Sequence, residues 1–243
     1  QSAVTDLPTM LADPDIDVVV TAAVPSRRAD IAVAGLEAGK HVLSAKPGVT
    51  TLADLARGRA AVEATGRRGV VLVTERFENR AVAEAVRLAR GGAIGRVVHV
   101  IGAGPHALNR DDRPEWFFDP QRSGGILADL ASHQADQFLA ITGAADAAVA
   151  DSSVGNVSCP EHPAMQDVGS MRLVGGGALG DHRVDCSNVV LDWAERLCAD
   201  LTDDSETLMS QRQVFEVCRL TLEAQARATS WASPRSTTPD NPA

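Results

Sequence analysis

Three side chains in this sequence, Lys46, Asp129 and His133, are of the types that move a proton and steady an oxyanion. Oxidising a secondary alcohol takes a base for the hydroxyl proton, a cationic donor for the developing alkoxide and a carbinol carbon facing a hydride acceptor. His133 suits the base, because imidazole titrates near neutrality. Asp129 lies four residues earlier, on the same face of a predicted helix, where it can orient the imidazole or hold a substrate hydroxyl. Lys46 follows a predicted parallel strand, at the edge where open α/β sheets bind ligands, and Pro47 stiffens its loop. By spacing alone, an Asp and a His one turn apart are more often an exposed polar pair.

The elements that must position these groups follow from periodicity. Asp17 to Ala23 reads as a buried strand around Val18, Val19 and Val20, and Ser26 as the cap of a helix that Gly39 ends. His41 to Ser44 is a second strand. Thr51 and Asp54 open a helix that Gly66 stops, and Val70 to Thr74 is a third strand. Strand and helix alternating at this spacing predict a parallel sheet with crossover helices. An Ala-rich helix from Arg80 to Arg90 leads to a strand over Arg96 to Ile101, and then to an irregular stretch, Gly102 to Ser123, of a length that usually lines a site. One helix is expected after Gly125. Strands near Ala147–Val154, Ser170–Val174 and His182–Cys186 and helices near Val190–Leu201 and Ser205–Thr229 complete an open sheet. The Pro-rich tail is expected to be disordered. The fold class is therefore α/β: a partial Rossmann-like parallel-sheet domain over 1–75, then an α+β domain with an open mixed or antiparallel sheet over 76–230, and a tail over 231–243.

Composition narrows the function. A net charge of −9 and a pI near 5.1 argue against nonspecific binding to nucleic acid or anionic membranes. The four cysteines form no C-x-x-C pair, which fits reduced thiols in the cytoplasm. No apolar run approaches the roughly 18–20 residues of a membrane helix. His162 and His182 lack the partner spacing of a metal site, so no metal is expected. His41 and His99 read as structural, and Asp136 as a solvated or capping carboxylate.

Two glycine stretches match a dinucleotide fingerprint literally, and neither has its context. Gly102-Ala103-Gly104 is followed by a charged, Pro-bounded segment where no amphipathic helix can start. Gly175 to Gly180 precedes an alternating strand pattern and reads as a hairpin turn. The strand, glycine turn and helix that open a Rossmann domain need ~30 residues or more, so N-terminal truncation is expected.

Several segments taken together resemble the glucose–fructose oxidoreductase / inositol dehydrogenase (Gfo/Idh/MocA) family. They are Asp13 to Asp17, Gly39 to Pro47, Arg76-Phe77, Gly95 to Val98, Arg113 to Phe117 and Gly124 to Asp136, a likeness spanning 7–143. The resemblance implies an NAD- or NADP-dependent dehydrogenase acting on a sugar, polyol or related small molecule. It assigns catalysis to Lys46, Asp129 and His133, and cofactor contacts to Ala22, Ala23, Pro25 and Lys46. His106, Arg113 and Trp116, in the loop before the catalytic helix, are candidates for binding substrate. It also implies a homo-oligomer built through the second sheet. Three departures keep a non-catalytic ligand-sensing or decayed relative open as the alternative. Ala45 replaces the acidic residue before Lys-Pro, a His expected shortly after Pro25 is absent with Ala29 in that region, and Gly175 to Cys186 looks shortened. A glycoside-cleaving relative that recycles its NAD is a further alternative.

Overall fold

The computed structural model describes residues 6–144, 147–166, 168–174 and 190–230. The expected strand at His182–Cys186, the hairpin turn at Gly175 and the tail lie outside those residues. A short helix, α1 (Leu7–Ala12), leads to β1 (Val18–Thr21), α2 (Pro25–Glu37), β2 (His41–Ala45), α3 (Leu52–Thr65) and β3 (Gly69–Leu72). The three strands are parallel in the order β1-β2-β3, with Val19 opposite Val42 and Leu43 opposite Val70. β2 is central and alternates, with Val42 and Ser44 buried. Thr51 caps α3 by accepting from the Asp54 amide, and Gly66 ends it in the left-handed region. Ser26 does not cap α2. That helix starts two residues earlier than such a cap implies, with Val24 at the cap position and Pro25 in its first turn, where the missing N–H costs nothing.

Next come α4 (Glu75–Glu78) and α5 (Arg80–Arg90), the latter capped by Asn79. The expected strand at Arg96 to Ile101 is absent. That stretch is irregular, with Val98 and Ile101 exposed, and among the described residues no strand pairs with it. His99 is accordingly exposed rather than part of a sheet. The long loop tightens into 3₁₀ turns at Arg110–Asp112 and Glu115–Phe118 before α6 (Pro120–Ser123). The single helix expected after Gly125 is two, α7 (Ile126–Asp129) and α8 (Ala131–Thr142), separated at Leu130.

The second sheet is mixed: β4 (Ala148–Gly155) pairs antiparallel with β5 (Val168–Val174). After α9 (Trp193–Thr202) and α10 (Gln211–Arg227), β6 (Thr229–Ser230) pairs parallel with β4. α10 begins six residues later than its periodicity suggests, at a Ser210 cap that accepts from the Gln213 amide. The residues before it wrap the buried Asp200 carboxylate, which accepts from the Thr207 and Leu208 amides and the Ser205 hydroxyl.

One apolar core joins the two sheets. Val70, Val73 and Phe77 pack with Leu127, Phe138 and Leu139 and with Val214, Val217 and Leu220 of α10. Polar links pin the same junction. The Gln211 side chain donates to the Gly69 carbonyl at 2.8 Å and accepts from the Gly69 amide at 3.0 Å. Asp136 is not a solvated carboxylate. It is fully buried, accepting from Arg76 Nε at 2.6 Å and Nη2 at 3.1 Å and from Gln213 Nε2 at 2.7 Å. Burial pushes its pKa up and Arg76 opposes that.

Candidate active site

Lys46 leaves the carboxyl end of β2, and its peptide bond to Pro47 is cis. Asp129 closes α7. The two meet with Lys46 Nζ 2.9 Å from Asp129 Oδ1, both side chains partly shielded from solvent. Gly124 and Gly125 allow this approach. Gly124 has φ +93, and a Cβ there would sit 3.1 Å from Thr50 Cγ2 and 3.5 Å from the Pro47 ring. Gly125 has φ +81 and ψ 166, a region that side chains avoid, and a Cβ there would reach 2.5 Å from Gln225. The Gln225 Oε1 it would strike accepts from the Leu127 amide at 3.0 Å and so holds the start of α7.

Asp129 therefore pairs with Lys46 and not with the imidazole four residues on. α7 and α8 meet at Leu130, whose backbone stays in the right-handed helical region. His133 lies at the start of α8, 4% exposed, and its buried Nδ1 has no hydrogen-bond partner among the described residues. Burial is the main reason its pKa falls below the ordinary imidazole value. The Glu75 carboxylate works against that shift, Lys46 and His106 add to it, and Asp129 opposes it least of all. His106 lies nearly parallel to His133, with ring centroids 6.4 Å apart, and its Nε2 is 3.3 Å from Glu75 Oε1. Gln137 donates to the other Glu75 oxygen at 3.2 Å. Gly102 and Gly104 serve this packing, since a Cβ at either would meet the Gln134 side chain within 3.0 Å.

A pocket of about 110 Å³ opens beside the Lys46–Asp129 pair, lined by Pro25, Arg28, Arg113, Trp116, Phe117 and Ser123 as well as the pair itself. Arg113 is exposed, stacked over Phe117 at 4.4 Å, and donates to the Leu108 carbonyl. Ala22 and Ala23 follow β1 and are not among the residues lining this pocket, Ala22 being exposed and Ala23 half-buried. The structure thus gathers Pro25, Lys46, Arg113, Trp116 and Asp129 on one pocket, with His106 and His133 in a second cluster around Glu75. Sequence reasoning missed Arg28 and Glu75. Glu75 follows the third parallel strand, a position that could have flagged it. A larger cavity of about 330 Å³ lies between α5, α8 and α10 and contains none of the predicted site residues.

His41 is structural: its Nδ1 accepts from the Arg68 amide at 3.1 Å. Among the described residues no group of His, Cys, Asp and Glu could hold a metal ion, and no helix is long and apolar enough to cross a membrane.

A parallel sheet carrying the lysine, and a second mixed sheet behind the helices that carry the Asp and His, make this an α/β protein of the Rossmann-like class. The chain belongs to the GFO/IDH/MocA oxidoreductase family. Residues 1–74 match the family model described as oxidoreductase family, NAD-binding Rossmann fold, and residues 82–171 match a model of the family's C-terminal domain. It is 35% identical over 142 residues to a 1,5-anhydro-D-fructose reductase of Ensifer adhaerens, an alignment covering 55% of this chain and 40% of the relative. The chain thus spans less than half the length of that relative. A crystal structure described as that of an oxidoreductase from Erwinia carotovora atroseptica superposes with a TM-score of 0.86 at 29% identity, over 94% of this chain and 85% of that one. Levoglucosan dehydrogenase in complex with NADH and levoglucosan superposes with a TM-score of 0.60 at 27% identity, over 70% of this chain and 48% of that one.

Proposed function

We propose that this protein is an NAD- or NADP-dependent oxidoreductase acting at a hydroxyl-bearing carbon of a sugar, polyol or related small molecule. The observation that carries this reading is the Lys46–Asp129 pair at 2.9 Å, formed across 83 residues of sequence at the carboxyl edge of the parallel sheet. Lys46 holds the hydroxyl oxygen and stabilises the alkoxide, and Asp129 fixes the direction of the ammonium. His133, kept neutral by burial, takes the hydroxyl proton. Trp116 and Arg113 offer a ring face and a donor to sugar hydroxyls.

The residues present fit the nicotinamide end of a dinucleotide. Pro25 and Lys46 share the pocket with Asp129, and the Ala23 carbonyl accepts from Arg28, which also lines it. A bound nicotinamide supplies the hydride acceptor or donor. Residues 1–75 would carry the cofactor and 76–230 the substrate and any self-association through the second sheet.

Calorimetric titration with NADH and NADPH tests the reading, followed by a screen of sugars and polyols. The screen begins with anhydro sugars, because the relatives named above act on 1,5-anhydro-D-fructose or bind levoglucosan. Micromolar binding with turnover supports it. Binding of a sugar without turnover favours the ligand-sensing alternative, to which Ala45 in place of an acidic residue points.

A further inference from the structure

Arg28 lies in the first turn of α2 and is only 6% exposed. A cation there faces the positive end of the helix, an unfavourable place that requires compensation. Among the described residues no carboxylate forms an ion pair with it. Carbonyl oxygens compensate instead. Its Nε donates to the Ala23 carbonyl at 2.6 Å, and its Nη1 is shared among the carbonyls of Ala45 at 3.1 Å, Lys46 at 2.6 Å and Pro47 at 3.0 Å. Ala23 follows β1, Ala45 ends β2 and Lys46 and Pro47 follow it, so one planar guanidinium ties together the carboxyl ends of two neighbouring strands. A rigid fork of donors can span these acceptors, whereas a single ammonium cannot.

The methyl group of Ala45 offers the lysine loop no polar anchor, so α2 supplies one through Arg28. We infer that Arg28 is the positioning residue of this site: by binding the Lys46 carbonyl and those on either side, it fixes the lysine backbone so that the ammonium reaches Asp129 at 2.9 Å. Its guanidinium also lines the pocket, adding a fixed positive charge next to that pair. The consequence for turnover rests on the oxidoreductase reading, but the placement of Lys46 does not.

The chain has two lysines, Lys40 and Lys46. Reductive methylation of the full chain with ¹³C-formaldehyde therefore gives two lysine signals in a carbon–proton spectrum, and Lys46→Arg identifies which is which. Lys40 donates to the Asp13 carbonyl at 2.7 Å, away from the site, and is the internal reference. In Arg28→Gln the Lys46 signal should move toward its position in Asp129→Asn while the Lys40 signal stays. Arg28→Met keeps the packing of the stem without the fork and decides the matter if the Gln variant does not fold. A folded variant of either kind with an unmoved Lys46 signal overturns the inference, whatever its turnover. In an active enzyme kcat should fall on the order of 10²-fold, the loss expected for about an ångström of misplacement. A moved signal in a protein that turns over no substrate keeps the positioning role and removes the oxidoreductase reading.

Discussion

Gly125→Ala tests whether the glycine pair is what lets Asp129 meet Lys46. At φ +81 and ψ 166 the backbone is in a region that costs a residue with a side chain ~1–3 kcal/mol. The new Cβ would also lie 2.5 Å from Gln225 Oε1, forcing it off the Leu127 amide and removing a hydrogen bond of net value ~0.5–1.5 kcal/mol. Together the loss is about 2–4 kcal/mol, and at about 2–4 °C per kcal/mol for a chain of this size the Tm should fall by about 5–15 °C. Differential scanning calorimetry measures it. Gly58→Ala is the control. It lies inside α3, a Cβ there meets nothing within 4 Å, and the change should stabilise by ~0.4–1 kcal/mol. Because Gly125 opens α7 and Asp129 closes it, the destabilised variant should also move the Lys46 methyl signal. A Tm within about 1 °C of the parent would refute the reasoning, since neither the backbone cost nor the collision would then be real.

The remaining outcomes concern His133, Asp136 and the cysteines. Burial lowers the His133 pKa, so the imidazole stays neutral to lower pH than usual, and kcat/KM should fall with acid only below the ordinary value of about 6.5. Glu75→Gln removes the leading opposing charge and should move that limb lower still, while His133→Ala should lower turnover by roughly two to four orders of magnitude. Asp136→Ala leaves the nearly buried Arg76 unpaired and should cost about 3–5 kcal/mol, read from the urea midpoint. Burial pushes the Cys218 thiol up to about 12, so a maleimide should label exposed Cys198 in the native protein and Cys218 only after unfolding, as peptide mapping would show.

The parallel sheet was legible in the chain because its signals are local. Valine runs, the Thr51–Asp54 cap and Gly66 each act within a few residues, and each lies where the pattern puts it. The strand expected at Arg96 to Ile101 does not form, and among the described residues it has no partner edge, which alternation by itself cannot supply. Family-level motifs picked out Lys46, Asp129 and His133 as residue types in an order. How they are arranged required the tertiary structure. Asp129 looked like the partner of His133 because they are four residues apart, but in the fold it pairs with a lysine 83 residues away, an approach that the glycine conformations at 124 and 125 permit. Asp136 looked solvated because an isolated carboxylate usually is, and only the convergence of Arg76 and Gln213 makes its burial tolerable. Arg28 carried no signal in sequence, since its partners are backbone carbonyls, which every residue has. Sequence by itself determined which elements form and which chemical groups exist; packing decided which groups meet, because charge pairing and desolvation depend on distances in space and not along the chain.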